Sequence, residues 1–135
     1  MDSYFLDSSV IIEYLRNNKE VISFIDNFPH QLSSGYIVKS ELYEGVYLSK
    51  NGEKTKKHLE IFFSGLDKIY GLNNSTALVF GKTRAKLRKA GMLIEDFDIL
   101  IASICIANNL PLITLNTKHF TRIDGLKVYI HEDVD

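Results

Sequence analysis

The sequence contains one cysteine and two prolines, carries almost no net charge, and has no apolar run long enough to cross a membrane. A lone cysteine, Cys105, permits no intramolecular disulfide and gives an oxidising compartment no support. It lies within the apolar run Ile99 to Ala107, where it reads as a small core residue. That run is the longest of its kind, and a membrane crossing needs about 20 residues. The N-terminus, Met1-Asp2-Ser3-Tyr4, lacks the charge pattern of a signal peptide, so a cytoplasmic protein with no membrane contact is expected. Lys and Arg number 16 against 17 Asp and Glu, which excludes the strongly basic balance of a nucleic-acid packaging protein. It does not exclude a nuclease, in which an acidic centre and basic surroundings cancel. Absent too are a Walker loop, a dinucleotide-binding glycine fingerprint and a serine-hydrolase elbow. The four histidines, His30, His58, His119 and His131, show no zinc-type spacing.

What is present is the composition of an ordinary globular domain: 45% hydrophobic and 24% charged over 135 residues. One domain spanning 1–135 is expected, without internal repeats. Short strands alternate with helices. Tyr4-Phe5-Leu6 reads as a strand running into Asp7-Ser8-Ser9, which are helix N-cap residue types, and Val10, Ile11, Tyr14 and Leu15 follow at helical spacing. A short helix is expected over Glu20 to Asn27. A second strand is expected over Gly35-Tyr36-Ile37-Val38, followed by a helix with Leu42, Val46 and Leu48 that Asn51-Gly52 breaks, and by another from Thr55 to Phe63. Lys68-Ile69-Tyr70 reads as a third strand. A long helix from about Ser75 to Ala90 should stop at Gly91. Ile99 to Asn108 is apolar nearly all round and reads as a buried helix. Strands over Leu112 to Leu115 and Lys127 to Ile130 complete the pattern. This alternation implies a three-layer α/β/α sandwich around a parallel sheet of four or five strands, with ligands bound at the carboxyl ends of the strands.

Acidic residues gather where that rule points. Asp7 follows the first strand, Glu41 comes three residues after the second, and Asp96 and Asp98 open the buried helix. Carboxylates sharing a crevice repel unless a cation neutralises them, and all-oxygen ligands suit Mg²⁺ or Mn²⁺. Such ions support phosphodiester hydrolysis. Each acid also has a plainer reading. Asp7 and Asp96 could cap helices, and Glu41 and Asp98 could be favourable first-turn charges.

Four segments resemble, in order, the motifs of PIN domains. Tyr4-Phe5-Leu6-Asp7-Ser8-Ser9-Val10-Ile11 is similar to the opening motif, and Ser40-Glu41-Leu42-Tyr43-Glu44-Gly45 to the second. Gly91 through Asp98 to Ser103 is similar to the third, and Leu112 to Phe120 with Ile123 and Gly125-Leu126 to the closing one. The resemblance spans nearly the whole chain and is strongest to toxins of the VapC type. It implies a metal-dependent endoribonuclease in which Asp7, Glu41 and Asp98 bind Mg²⁺, or Mn²⁺ in its place. It also implies transfer or ribosomal RNA as substrate, a cognate antitoxin and a homodimer. Asp96 would be auxiliary, and Ser8 and Thr114 would orient carboxylates through their hydroxyls. Many PIN domains carry a further acid in the fourth motif where this chain has Asn116, with His119 three residues on. Asn116 would offer only a neutral oxygen or hydrogen-bond a water, so one strongly held ion is expected.

The basic stretch Lys82, Arg84, Lys86, Arg88 and Lys89 reads as a solvated helix face from which Arg84 and Arg88 could steer RNA phosphates. Tyr36, Tyr43, Tyr47 and Tyr70 could stack bases or simply pack. Two rival readings stand beside the nuclease. A haloacid-dehalogenase-like phosphoryl-transfer enzyme would use Asp7 as nucleophile but usually wants an acid two positions on, where Ser9 stands. A non-catalytic PIN-like RNA-binding module would fit the altered fourth motif.

Overall fold

The computed structural model describes residues 2–130, so His131 lies outside the described residues. Five strands form one sheet: β1 (Ser3–Leu6), β2 (Gln31–Gly35), β3 (Ile69–Tyr70), β4 (Leu112–Thr114) and β5 (Val128–Ile130). Their order is β3-β2-β1-β4-β5, and every neighbouring pair is parallel. Parallel neighbours require crossovers, and seven helices supply them and cover the sheet: α1 (Ser8–Leu15), α2 (Lys19–Asp26), α3 (Tyr36–Leu48), α4 (Gly52–Ser64), α5 (Asn74–Lys89), α6 (Asp96–Ala107) and α7 (Thr117–Phe120). The result is the expected three-layer α/β/α sandwich.

Chain order runs outward from β1 to β3 on one side and from β4 to β5 on the other. The direction of winding therefore reverses between β1 and β4, and the crevice beyond their carboxyl ends is where such sheets bind ligands. Phe5 and Leu6 in β1 and all of β4 are buried, as a strand covered on both faces requires. Beside them lies α6, with Ile99, Ile101, Ala102, Ser103, Ile104 and Cys105 all buried. Each large apolar side chain so buried contributes roughly 1.5–3 kcal/mol. The polar member, Ser103, donates its hydroxyl to the carbonyl of Ile99 at 2.6 Å and so brings no unsatisfied group into the core.

Gly91 ends α5 as its sequence position suggests. It takes φ +66°, and the amide of Met92 returns to the carbonyl of Leu87 at 2.8 Å, closing the helix with a left-handed turn. That turn redirects the chain toward Asp96, the first residue of α6.

The second strand differs from expectation. It occupies Gln31–Gly35, and the apolar residues Tyr36-Ile37-Val38 open α3. Val38, Leu42 and Val46 recur every four residues and are the buried stripe of that helix. The strand looks polar because its contacts are: Ser33 hydrogen-bonds Ser3 at 2.8 Å, and the buried Ser34 hydroxyl donates to the carbonyl of Leu6 at 2.8 Å. Glu41 is consequently the sixth residue of α3, in its second turn, rather than a group just past a strand end. The helix after it begins at Gly52, three residues before the expected Thr55.

Candidate metal centre

Asp7 leaves β1 at the reversal point and is 3% exposed. It caps α1, as its residue type allows: Oδ1 accepts the Ser9 amide at 3.0 Å and the Val10 amide at 3.4 Å. Two hydroxyls complete its shell. Ser9 Oγ donates to Oδ1 at 2.5 Å, and Thr114 Oγ1, from the end of β4, donates to Oδ2 at 2.5 Å. Each hydroxyl accepts in turn from the chain following β4, Ser9 from the Leu115 amide at 3.1 Å and Thr114 from the Asn116 amide at 2.9 Å. Two backbone amides thus act through two hydroxyls to fix one carboxylate. Oδ1 is fully used, and Oδ2 keeps a lone pair for one further partner. Burial pushes the Asp7 carboxyl above its ordinary range, while these donors favour its charged form.

Glu41 has no such shell. Its Oε1 is buried without a hydrogen-bond partner, the only such side-chain oxygen or nitrogen among the described residues. Burial first, then the charges of Asp98 and Asp7, push its carboxyl up to about 7, with a smaller contribution from Glu95. The Ser8 hydroxyl acts in the opposite sense, favouring the charged form. Ser8 therefore serves Glu41, whereas Ser9 serves Asp7.

Asp98 stands in the first turn of α6. Its side chain is 18% exposed, and its Oδ2 lies 3.2 Å from Nδ1 of His119 on α7. Elements from four parts of the chain thus bring Asp7, Glu41 and Asp98 into one electrostatic neighbourhood, bordered by His119 and the turn at Asn116. Asn116 is exposed, and its side chain makes no capping bond to α7.

Asp96 is placed differently from Asp98. It is exposed and pairs with Nε of Arg84 at 2.8 Å, and the helix N-cap position before it belongs to Glu95. Glu95, not Asp96, adds to the field on Glu41. Arg84 is accordingly held by an acid, whereas Arg88 is exposed near the end of α5. Ser9 and Glu95 were not singled out in the sequence. Ser9 had a signal, since a hydroxyl two residues after a helix-capping Asp is in reach of its carboxylate.

Chemically, the centre is a set of hard oxygen donors with an excess of negative charge and one orphaned buried oxygen. An uncompensated buried carboxylate is costly, and a divalent cation removes that cost. The donor set fits Mg²⁺ or Mn²⁺ and offers no sulfur or imidazole pair that would favour zinc. Among the described residues, no three His, Cys, Asp or Glu side chains stand grouped so that they could hold a metal ion. Glu41 and Asp98, less constrained than Asp7, are the side chains able to adjust.

Residues 4–126 match the PIN domain family, and the chain therefore belongs to it. It is similar to ribonuclease VapC2 of Rickettsia felis, with 34% identity over 128 residues covering 91% of this chain and 93% of that protein. It is likewise similar to ribonuclease VapC1 of Haemophilus influenzae, 31% identical over 127 residues covering 92% and 94%. Among solved structures, VapBC2 of Rickettsia felis bound to a DNA fragment from its promoter superposes with a TM-score of 0.88 at 29% identity, covering 95% of this chain and 98% of the other.

Proposed function

We propose that this protein is a metal-dependent endoribonuclease, the toxin of a type II toxin–antitoxin pair, which hydrolyses phosphodiester bonds in transfer or ribosomal RNA. The observation that carries the metal centre is Glu41: a carboxylate in the charge field of Asp7 and Asp98, with one oxygen buried and unpartnered. Membership of the PIN family and likeness to VapC ribonucleases support the reaction class.

In this reading Asp7, Glu41 and Asp98 hold Mg²⁺ or Mn²⁺. When bound, the ion would supply activation of water for attack and compensation for the charge developing on the phosphate. The protein's share is placement. The hydroxyls of Ser9 and Thr114 keep the Asp7 carboxylate in one orientation, and that of Ser8 favours the ionised form of Glu41. Asn116 hydrogen-bonds water or a phosphate oxygen at the rim. No side chain acts as a covalent nucleophile; the donors around Asp7 oppose that role, which a dehalogenase-like reaction would demand. Arg88 guides the RNA backbone, and Arg84 does so more weakly because Asp96 engages it. Asp96 then acts only by holding Arg84. A cognate antitoxin, a homodimeric assembly and a cytoplasmic location complete the proposal. No helix among the described residues is long and apolar enough to cross a membrane.

The test is incubation of the purified protein with bacterial total RNA in Mg²⁺, in Mn²⁺ and in chelator. Discrete fragments that require the metal are expected. RNA left intact under all three conditions, with transfer and ribosomal species present, overturns the reading.

A further inference from the structure

His119 is a side chain at the centre to which the family assignment gives no task. It projects from α7, a single turn placed directly after Asn116, and its Nδ1 meets Asp98 Oδ2 at 3.2 Å across 21 residues of sequence. The imidazole is 37% exposed, so part of the ring reaches solvent.

The same short segment also acts on Asp7, because the Asn116 amide donates to Thr114, which donates to Asp7. Residues 114–119 therefore touch both Asp7 and Asp98 without adding an acid beside them. Where a fourth carboxylate would contribute charge, this chain contributes donors.

Asp98 needs such a donor more than Asp7 does. Asp7 is fixed by two amides and two hydroxyls, whereas His119 is the one hydrogen-bonding side chain described for Asp98. An aspartate in the first turn of a helix can rotate away from a neighbouring carboxylate, and Glu41 repels it. A hydrogen bond on Oδ2 restrains that rotation and leaves Oδ1 without a hydrogen bond among the described residues.

We infer that His119 is a positioning residue, acting through Asp98, that sets the affinity of the centre for its divalent ion. The inference rests on the metal-centre reading above. Outer partners that orient a ligating carboxylate typically alter metal affinity by about 10–100-fold when removed.

Calorimetric titration of the whole protein with Mn²⁺ alone, without RNA, tests it. His119→Ala should weaken Mn²⁺ binding by about 10-fold or more. His119→Asn, whose amide nitrogen can stand where Nδ1 stands, should recover most of the loss, and Lys118→Ala on the same turn should change nothing. Thermal unfolding in chelator should show all three variants folded. In the cleavage assay, the His119→Ala defect should appear as a raised Mn²⁺ requirement and disappear at saturating metal.

Wild-type affinity in His119→Ala overturns the inference and leaves the nuclease reading standing. So does a His119→Asn variant as weak as His119→Ala. A cleavage loss that saturating Mn²⁺ does not restore also overturns it, since His119 would then touch the RNA itself. Failure of the wild-type protein to bind Mn²⁺ overturns both.

Discussion

Glu41→Gln removes a charge that burial and two neighbouring carboxylates disfavour, so in the metal-free protein it should stabilise rather than harm. The Glu41 carboxyl is raised from 4.5 to about 7. At about 1.4 kcal/mol per pH unit, this corresponds to an unscreened penalty of about 3 kcal/mol on the ionised folded state. Glu41 is only partly buried, and solvent screening reduces the figure to about 1–2 kcal/mol. A carboxyl whose folded pKa is raised binds its proton more tightly folded than unfolded, so stability falls as pH rises. The loss begins near 4.5, grows to about 7 and is complete above it. Gln, neutral throughout, escapes it. Thermal unfolding of both proteins in chelator should therefore give nearly equal midpoints at pH 4. At pH 8 the variant should melt higher, by roughly 4 °C per kcal/mol for a domain of this size. Saturating Mg²⁺ should raise the wild type and leave the variant unmoved. A variant less stable than wild type at pH 8 in chelator, or a gap that does not change with pH, refutes the reasoning.

Other substitutions separate structural from chemical roles. Asp7→Asn should preserve the cap on α1 and cost less than about 1 kcal/mol while abolishing cleavage, whereas Asp7→Ala should also lose about 1–2 kcal/mol in urea unfolding. Thr114→Val keeps the shape but strips Asp7 of a donor and the Asn116 amide of an acceptor, so a loss of about 2–3 kcal/mol in the same assay is expected. Gly35→Ala would set a Cβ 3.1 Å from the Phe5 ring and 3.3 Å from the Tyr70 carbonyl, and should destabilise by about 1–3 kcal/mol. Asp96→Asn breaks only an exposed ion pair with Arg84; stability should change by less than about 1 kcal/mol, and RNA cleavage should stay within a few-fold of wild type.

The parts of the fold that were legible in the sequence are those whose burial is apolar. Phe5-Leu6, the run Ile99 to Cys105 and Leu112-Ile113 announce themselves because nothing but a covered sheet and a buried helix accommodates them. Gly91 marks its turn because the chain there takes a left-handed conformation. The second strand was not legible, because Ser33 and Ser34 are buried by hydrogen bonds to distant residues, and no local pattern encodes those partners. The helix that follows absorbed the apolar residues the strand had been expected to contain. At the centre, Asp7 and Asp98 were visible as acids at element ends and Glu41 through its motif, its expected place after a strand being replaced by the second turn of α3, and the structure sets the three in one field. The division of labour among adjacent hydroxyls was not visible. Ser8 and Ser9 are indistinguishable as letters, and the first turn of α1 alone decides that one serves Glu41 and the other Asp7. The pairings of Arg84 with Asp96 and of His119 with Asp98 likewise depend on how α5 and α7 pack against α6.

Under the proposed function, a carboxylate centre in this chain cuts RNA rather than merely holding it. Asp98→Asn, measured for RNA binding and for Mg²⁺-dependent cleavage in the same samples, addresses it most directly. A variant that binds RNA as the wild type does and releases no fragments is the predicted result. A variant that cuts as fast as the wild type, or a wild type that binds RNA and leaves it whole, contradicts the account.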